Sequence, residues 1–164
     1  MSDFDDFVNT SGPSLLRFAY LLTGDAHQAE DIVQEALARV HLRWRQIDSY
    51  EVPEAYVRKV VLRQYLSWRR RRSSSEIAIA AVPDRADGAD VADRIADRQR
   101  LGTLIAGLPR MQRAVIVLRY FEDRGDEDIA QLLGCAPATV RSHAARALNR
   151  LRAALPAHDL TLEA

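Results

Sequence analysis

DEDIAQLLGCAPATVRSHAARALNRL, residues 126–151, decides the architecture of the chain. Ile129, Leu132 and Leu133 give a short helix one apolar face at helical spacing. Ala130 is small where a second helix must cross closely, and Gly134 ends the first helix where a left-handed backbone costs little. Pro137 suits the first turn of the next helix, whose Val140, Ala144 and Leu148 line one inward face. Ala130, Gly134 and Val140 thus stand four and six residues apart, as a tight corner between two helices requires. The stretch reads as a helix-turn-helix.

Its outward face is defined by what it lacks. From Ile129 to Ala153 there is no acidic residue, while Arg141, Arg146, Arg150 and Arg152 are present. The candidate recognition surface is Pro137, Ala138, Thr139, Arg141, Ser142 and Ala145, with Arg146 on a neighbouring face. Arg141 suits a guanine edge or a phosphate, and Thr139 and Ser142 suit shorter polar contacts. The helix N-terminus offers free N–H groups to a phosphate, and the small alanines permit close approach to a groove. The plain alternative is a helical hairpin with a solvated basic side. The single-sign face joined to the small-Gly-Val spacing favours DNA, although many regulators share such a motif.

Net charge argues against a nucleic-acid binder until its distribution is read. The chain has 164 residues, 23 basic and 23 acidic. Residues 1–50 hold four basic and eight acidic side chains, and residues 51–72 hold seven and two. Residues 73–99 return to three and six, and residues 129–153 carry four and none. Two basic blocks are separated by an acidic one, which the average conceals. Of the 23 basic residues only Lys59 is a lysine. Arginine offers planar donors, yet its frequency reflects a GC-rich coding sequence as readily, so only its placement supports binding.

The apolar fraction of 48% supports real cores. The expected fold is all-α: two small helical domains joined by a linker, the C-terminal one containing the helix-turn-helix. Leu15, Leu16, Ala19 and Leu22 mark a helix over about 13–22. Ile32, Val33, Ala36, Leu37 and Val40 mark another over about 25–44, capped by Asp25 with Gln28 as its partner. Pro53 opens a third, running through Tyr56, Val57, Val60, Val61 and Leu66 into Arg69–Arg72. From Ser73 the pattern dissolves into serines, Ala78–Val82, Pro83 and spaced aspartates, with helix resuming from about residue 92. Ile77–Ala80 is either a small contact point or plain tether. The second block begins near Leu101; a helix follows Pro109 to Phe121, and two shorter helices complete it. The domains are therefore 1–72, a linker 73–99, and 100–164.

The first block adds a second nucleic-acid signal. Arg58, Lys59, Arg63, Arg69 and Arg70 share one long helix with Tyr56, Tyr65 and Trp68, and Trp44 lies nearby. Basic groups can follow a phosphate backbone while aromatics stack on unpaired bases. Core packing explains Tyr65 and Trp68 as well as base contact does, and Tyr56 fits the core better. Glu30, Asp31, Gln34 and Glu35 cluster on a different helix and suit a protein partner, although early acids also stabilise a helix dipole.

Enzymatic chemistry finds little support. His27, His41, His143 and His158 are scattered, and the one cysteine, Cys135, lacks a C-x-x-C partner. No P-loop or GxGxxG glycine pattern is present. Cys135 reads as a semi-buried turn residue ahead of a redox sensor. No catalytic residue, metal site or cofactor is expected. The acidic start MSDFDDF lacks a signal peptide's features and no run approaches 18 apolar residues, so a cytoplasmic protein without membrane insertion is expected.

With these motifs in order, the chain resembles a group 4 (extracytoplasmic-function) sigma factor of bacterial RNA polymerase, of the short actinobacterial type. AEDIVQEALARVHLRW, residues 29–44, resembles the core-polymerase-binding helix of region 2. PEAYVRKVVLRQYLSWRRRR, residues 53–72, resembles the promoter −10 segment, and residues 108–152 resemble region 4. The resemblance implies that Asp31, Gln34 and Glu35 face the clamp helices of the large polymerase subunit. It implies that the loop before Pro53 captures an unstacked −10 base beside Trp44, Arg58, Lys59, Arg63, Trp68, Arg69 and Arg70. The acidic 73–99 stretch would thread toward the active centre, and the helix from Pro137 would read the −35 element in the major groove. Partners implied are core RNA polymerase, promoter DNA and an anti-sigma factor. Arg63 stands where the family often has asparagine, and Ser67 near an expected aspartate, which points to an unusual −10 preference. The chain ends soon after region 4, so no added C-terminal regulatory domain is expected. The alternative is a stand-alone repressor or activator with a helical dimerisation domain, which shares residues 126–151 and differs in the use of 25–72.

Overall fold

Asp25 adopts an extended backbone and its carboxylate accepts from the Gln28 amide, which stops one helix and starts the next. The reciprocal half of the expected capping box is not made: Gln28 Oε1 is buried with no hydrogen-bond partner. This corner and others like it build a wholly helical fold. The computed structural model describes residues 3–71 and 89–155, and among them there is no strand. The chain divides into two compact units, Met1–Ala80 and Ala81–Ala164.

The first unit contains α1 (Asp3–Thr23), α2 (Ala26–His41), a single turn α3 (Trp44–Ile47) and α4 (Pro53–Arg71). Helices α1, α2 and α4 pack on one another in all three pairings. Leu15, Phe18, Ala19 and Leu22 meet Ile32, Val33, Ala36 and Val40, with Val57, Val61, Leu62 and Tyr65 closing the core. Each such aliphatic side chain contributes roughly 1.5–3 kcal/mol by leaving water. Leu16, expected on the inward face, is exposed, and Tyr65 is fully buried.

Helix α1 begins ten residues earlier than its apolar period predicts and runs straight through Pro13. An internal proline removes one backbone hydrogen bond and costs about 3 kcal/mol. Tertiary contact offsets that cost. Phe4 lies 4.6 Å from the His41 ring and 5.3 Å from Trp44, and Phe7 lies 4.8 Å from Trp44.

The second unit contains α5 (Ala89–Ala106), α6 (Arg110–Ile116) continued by a π-helical turn Val117–Phe121, α7 (Asp126–Leu133) and α8 (Pro137–Ala154). Helix α8 packs on α5, α6 and α7. Arg113 is buried, and its guanidinium donates to the carbonyls of Ala106 and Leu108, closing the turn between α5 and α6. Gly134 has φ +68°, the left-handed exit its position required. The inward stripe of α8 is Val140, Ala144, Ala147 and Leu151, with Leu148 half-buried. The stripe turns at Ala147 because an uninterrupted helix of 3.6 residues per turn alternates steps of four and three. Helix α8 has 18 residues, long where a short helix was expected.

Helix α5 starts at Ala89, inside the stretch read as a connection. Residues 72–88, with the Ile77–Ala80 segment, and 156–164, with His158, lie outside the described residues.

Candidate nucleic-acid interface

The helix-turn-helix presents its expected surface to solvent. On α8, Ala138, Thr139, Arg141, Ser142, Ala145 and Arg146 are all exposed, and Pro137 is half-buried at the first helical position. Arg150 and Arg152 continue the basic side. Ala136 precedes the helix in extended conformation and makes no side-chain cap, so the first-turn N–H groups of α8 receive nothing from a capping side chain. His143 faces partly inward, its Nδ1 buried without a partner.

One acid reaches this surface from the neighbouring helix. Asp126, the first residue of α7, makes an ion pair through Oδ1 with Arg119 of the π-helical turn. Its Oδ2 lies 4.0 Å from Arg141 Nη1. The hydrogen bond from Arg119 to Asp126 holds the Arg119 proton more tightly than usual. Asp126 is absent from the sequence-based candidates. The stretch without acids was counted from Ile129, and only folding returns α7's first turn to the recognition helix.

The first unit treats its cations differently. Arg58, expected to face DNA, turns inward. It donates to Glu54 Oε1 from Nε at 3.2 Å and Nη2 at 2.8 Å, bonds the Ser14 hydroxyl, and lies 5.5 Å from the Phe18 ring centroid. Ser11 and Ser14 donate to the two Glu54 oxygens at 3.1 Å each. Burial alone would raise the Glu54 pKa; the bonds from Arg58, Ser11 and Ser14 outweigh it and hold the carboxyl below its ordinary value. Arg58 is therefore a bridge between α1 and α4. Trp44 is corrected as well: its ring is buried against Phe4 and Phe7, so it has no face to offer a base.

Lys59 and Arg63 remain exposed on α4. The side chains of Trp68, Arg69 and Arg70 lie outside the described residues. In the connection before Pro53, Tyr50 and Val52 are exposed, and Tyr50 meets Tyr56 edge-on at 5.5 Å between centroids. The loop is legible in the sequence and Tyr50 is not among its candidates; an aromatic between the polar Ser49 and Glu51 is the one local signal.

Helix α2 carries Asp31, Gln34 and Glu35 on one exposed face, with Glu30 beside them. Glu35 pairs with Arg39 at 2.8 Å, both well exposed, a contact worth a few tenths of a kcal/mol. Its partner leaves the carboxylate accessible.

Two family signatures match the chain in the order of these units: Sigma-70 region 2 over residues 7–75 and Sigma-70, region 4, over residues 98–151. RNA polymerase sigma-E factor of Streptomyces coelicolor is 36% identical over 162 residues, spanning 99% of this chain and 91% of that protein. The ECF RNA polymerase sigma factor SigL of Mycobacterium tuberculosis is 32% identical over 146 residues, 86% of this chain and 82% of its own length. Among solved structures, the sigma factor RpoE of Bartonella quintana, crystallised with the anti-sigma factor NepR, superposes with a TM-score of 0.69 at 26% identity. That match covers 93% of this chain and 96% of the other. With a region 2 helical unit, a region 4 helix-turn-helix and full-length relatives of both, the chain belongs to the group 4, extracytoplasmic-function sigma factors of bacterial RNA polymerase.

Proposed function

We propose that this chain binds core RNA polymerase and directs promoter-specific initiation, α8 reading the −35 duplex and the α4 region engaging the −10 element. The observation that carries this is the exposed basic face of α8 in the second unit, together with an exposed acidic face on α2 in the first. A major-groove helix needs small or polar residues at its N-terminal end and cations alongside. Pro137, Ala138, Thr139, Arg141, Ser142, Ala145 and Arg146 supply them. Asp31, Gln34 and Glu35 form the polymerase contact. Lys59 and Arg63 track the −10 backbone beside Trp68, Arg69 and Arg70, while Arg58 and Trp44 support that surface from within.

The chain works as a non-catalytic specificity subunit in the cytoplasm, with the polymerase performing nucleotide addition. Among the described residues no helix is long and apolar enough to cross a membrane. An anti-sigma factor is a further partner, as the RpoE structure records for that protein. The test is run-off transcription with core polymerase on a promoter library. Discrete transcripts should need both components. Tight duplex binding as a dimer without polymerase, and no transcripts with it, would replace this reading with the repressor or activator.

A further inference from the structure

We propose that Asp126 is a specificity-determining positioning residue, which aims Arg141 at a base edge and away from phosphate. This rests on the reading of α8 as the −35 helix. Three features carry it. The Asp126 carboxylate is anchored from behind, Oδ1 being committed to Arg119. Its other oxygen stands 4.0 Å from Arg141 Nη1. The Asp126 side chain is 24% exposed and that of Arg141 61%, so the acid is fixed in the protein while the guanidinium it faces reaches into solvent.

A pair this long and this exposed contributes little to stability. Its effect falls on orientation and charge. A free arginine side chain samples many rotamers, and a fixed carboxylate 4.0 Å away biases it toward a subset of them, which lowers the entropy lost on docking. The acid approaches at Nη1, which leaves the other N–H groups for the O6 and N7 acceptors of guanine. The adjacent negative charge also offsets the arginine's attraction for an anionic phosphate oxygen, while a neutral base acceptor is affected far less. Asp126 therefore trades general affinity for discrimination. Arg146, Arg150 and Arg152 have no acid beside them on α8 itself and suit the phosphate contacts that Arg141 gives up.

The experiment is selection of duplexes from a library randomised across the −35 region, using holoenzyme reconstituted with core polymerase. Wild type, Arg141→Ala, Asp126→Asn and the double variant are compared, with sequencing before and after. Asparagine keeps an oxygen for Arg119 and removes the charge. Arg141→Ala should erase preference at one position. Asp126→Asn should weaken preference at that same position roughly three- to tenfold, a fraction of what one bidentate contact supplies, with retention of non-cognate DNA undiminished. In the double variant Asp126→Asn should add nothing, the signature of two residues acting as a unit. A merely destabilised domain would lower enrichment in both backgrounds alike. Equal loss with and without Arg141, or no loss, overturns the role of Asp126 and leaves the −35 reading standing. Preference surviving Arg141→Ala overturns that reading and this role with it.

Discussion

Helices α4 and α8 are both rich in arginine, yet the arginine in the second turn of each, Arg58 and Arg141, meets the opposite fate. On α4, Arg58 is drawn inward by Glu54, Ser14 and an aromatic face, and becomes a structural tie to α1. On α8, Arg141 and Arg146 stay in solvent, and the acid near Arg141 arrives from α7. Charge per residue does not distinguish the helices. The difference lies in the packed neighbour. Helix α1 offers α4 hydroxyls and the face of the buried Phe18 ring, whereas α6 and α7 offer α8 an apolar bed of Ile129, Ala130, Val115 and Ala114.

The sharpest way to break this contrast is Trp44→Ala. A ring held between Phe4 and Phe7 should cost about 3–5 kcal/mol on truncation, which lowers the melting temperature by more than about 10 °C. An unchanged melt with lost promoter opening would return Trp44 to the DNA. Next comes Arg141→Ala, expected to remove about 1–3 kcal/mol of base discrimination. Promoter-specific transcription should fall about tenfold or more while co-purification with core polymerase holds; equal losses in both assays count against the assignment. Reversing charge at Asp31 and Glu35 should reduce that co-purification, with little change in stability because the Glu35–Arg39 pair is so exposed. A normal yield would remove α2 as the polymerase contact.

Two smaller effects sharpen it further. Gly134→Ala meets no atom within 4 Å of the new methyl, so its cost of about 1 kcal/mol is the left-handed backbone alone. A thermal melt of the variant checks it. The Glu54 network gives a pH test. Its pKa is lowered in the folded state, so its stabilisation is present above the unfolded value of about 4.3 and fades as pH falls through the lower folded value. Melting temperature should drop below about pH 4 in the wild type, and less steeply in Glu54→Gln. Parallel curves would show that the network contributes nothing to acid stability.

These contrasts separate what residues declare from what packing assigns. The turn at Gly134, the proline start of α8, the Asp25 cap and the exposed face of α8 were legible because each depends on chemistry within one or two turns. The start of α1 was not, since local propensity ends it at Pro13 and only the Phe4–Phe7–Trp44 contact carries it on. For the same reason Arg58 and Trp44 looked like surface ligands.

The sequence by itself determined an all-helical chain in two blocks, the helix-turn-helix and the family's order of motifs. Periodicity, caps and turn residues are local quantities that a linear string records in full. Tertiary structure alone decided which cations remain for DNA, that Ser14 and the Phe18 ring of α1 claim Arg58, and that Asp126 stands beside Arg141. Those outcomes depend on residues 7 to 44 positions apart meeting in space, and no local pattern encodes such a meeting.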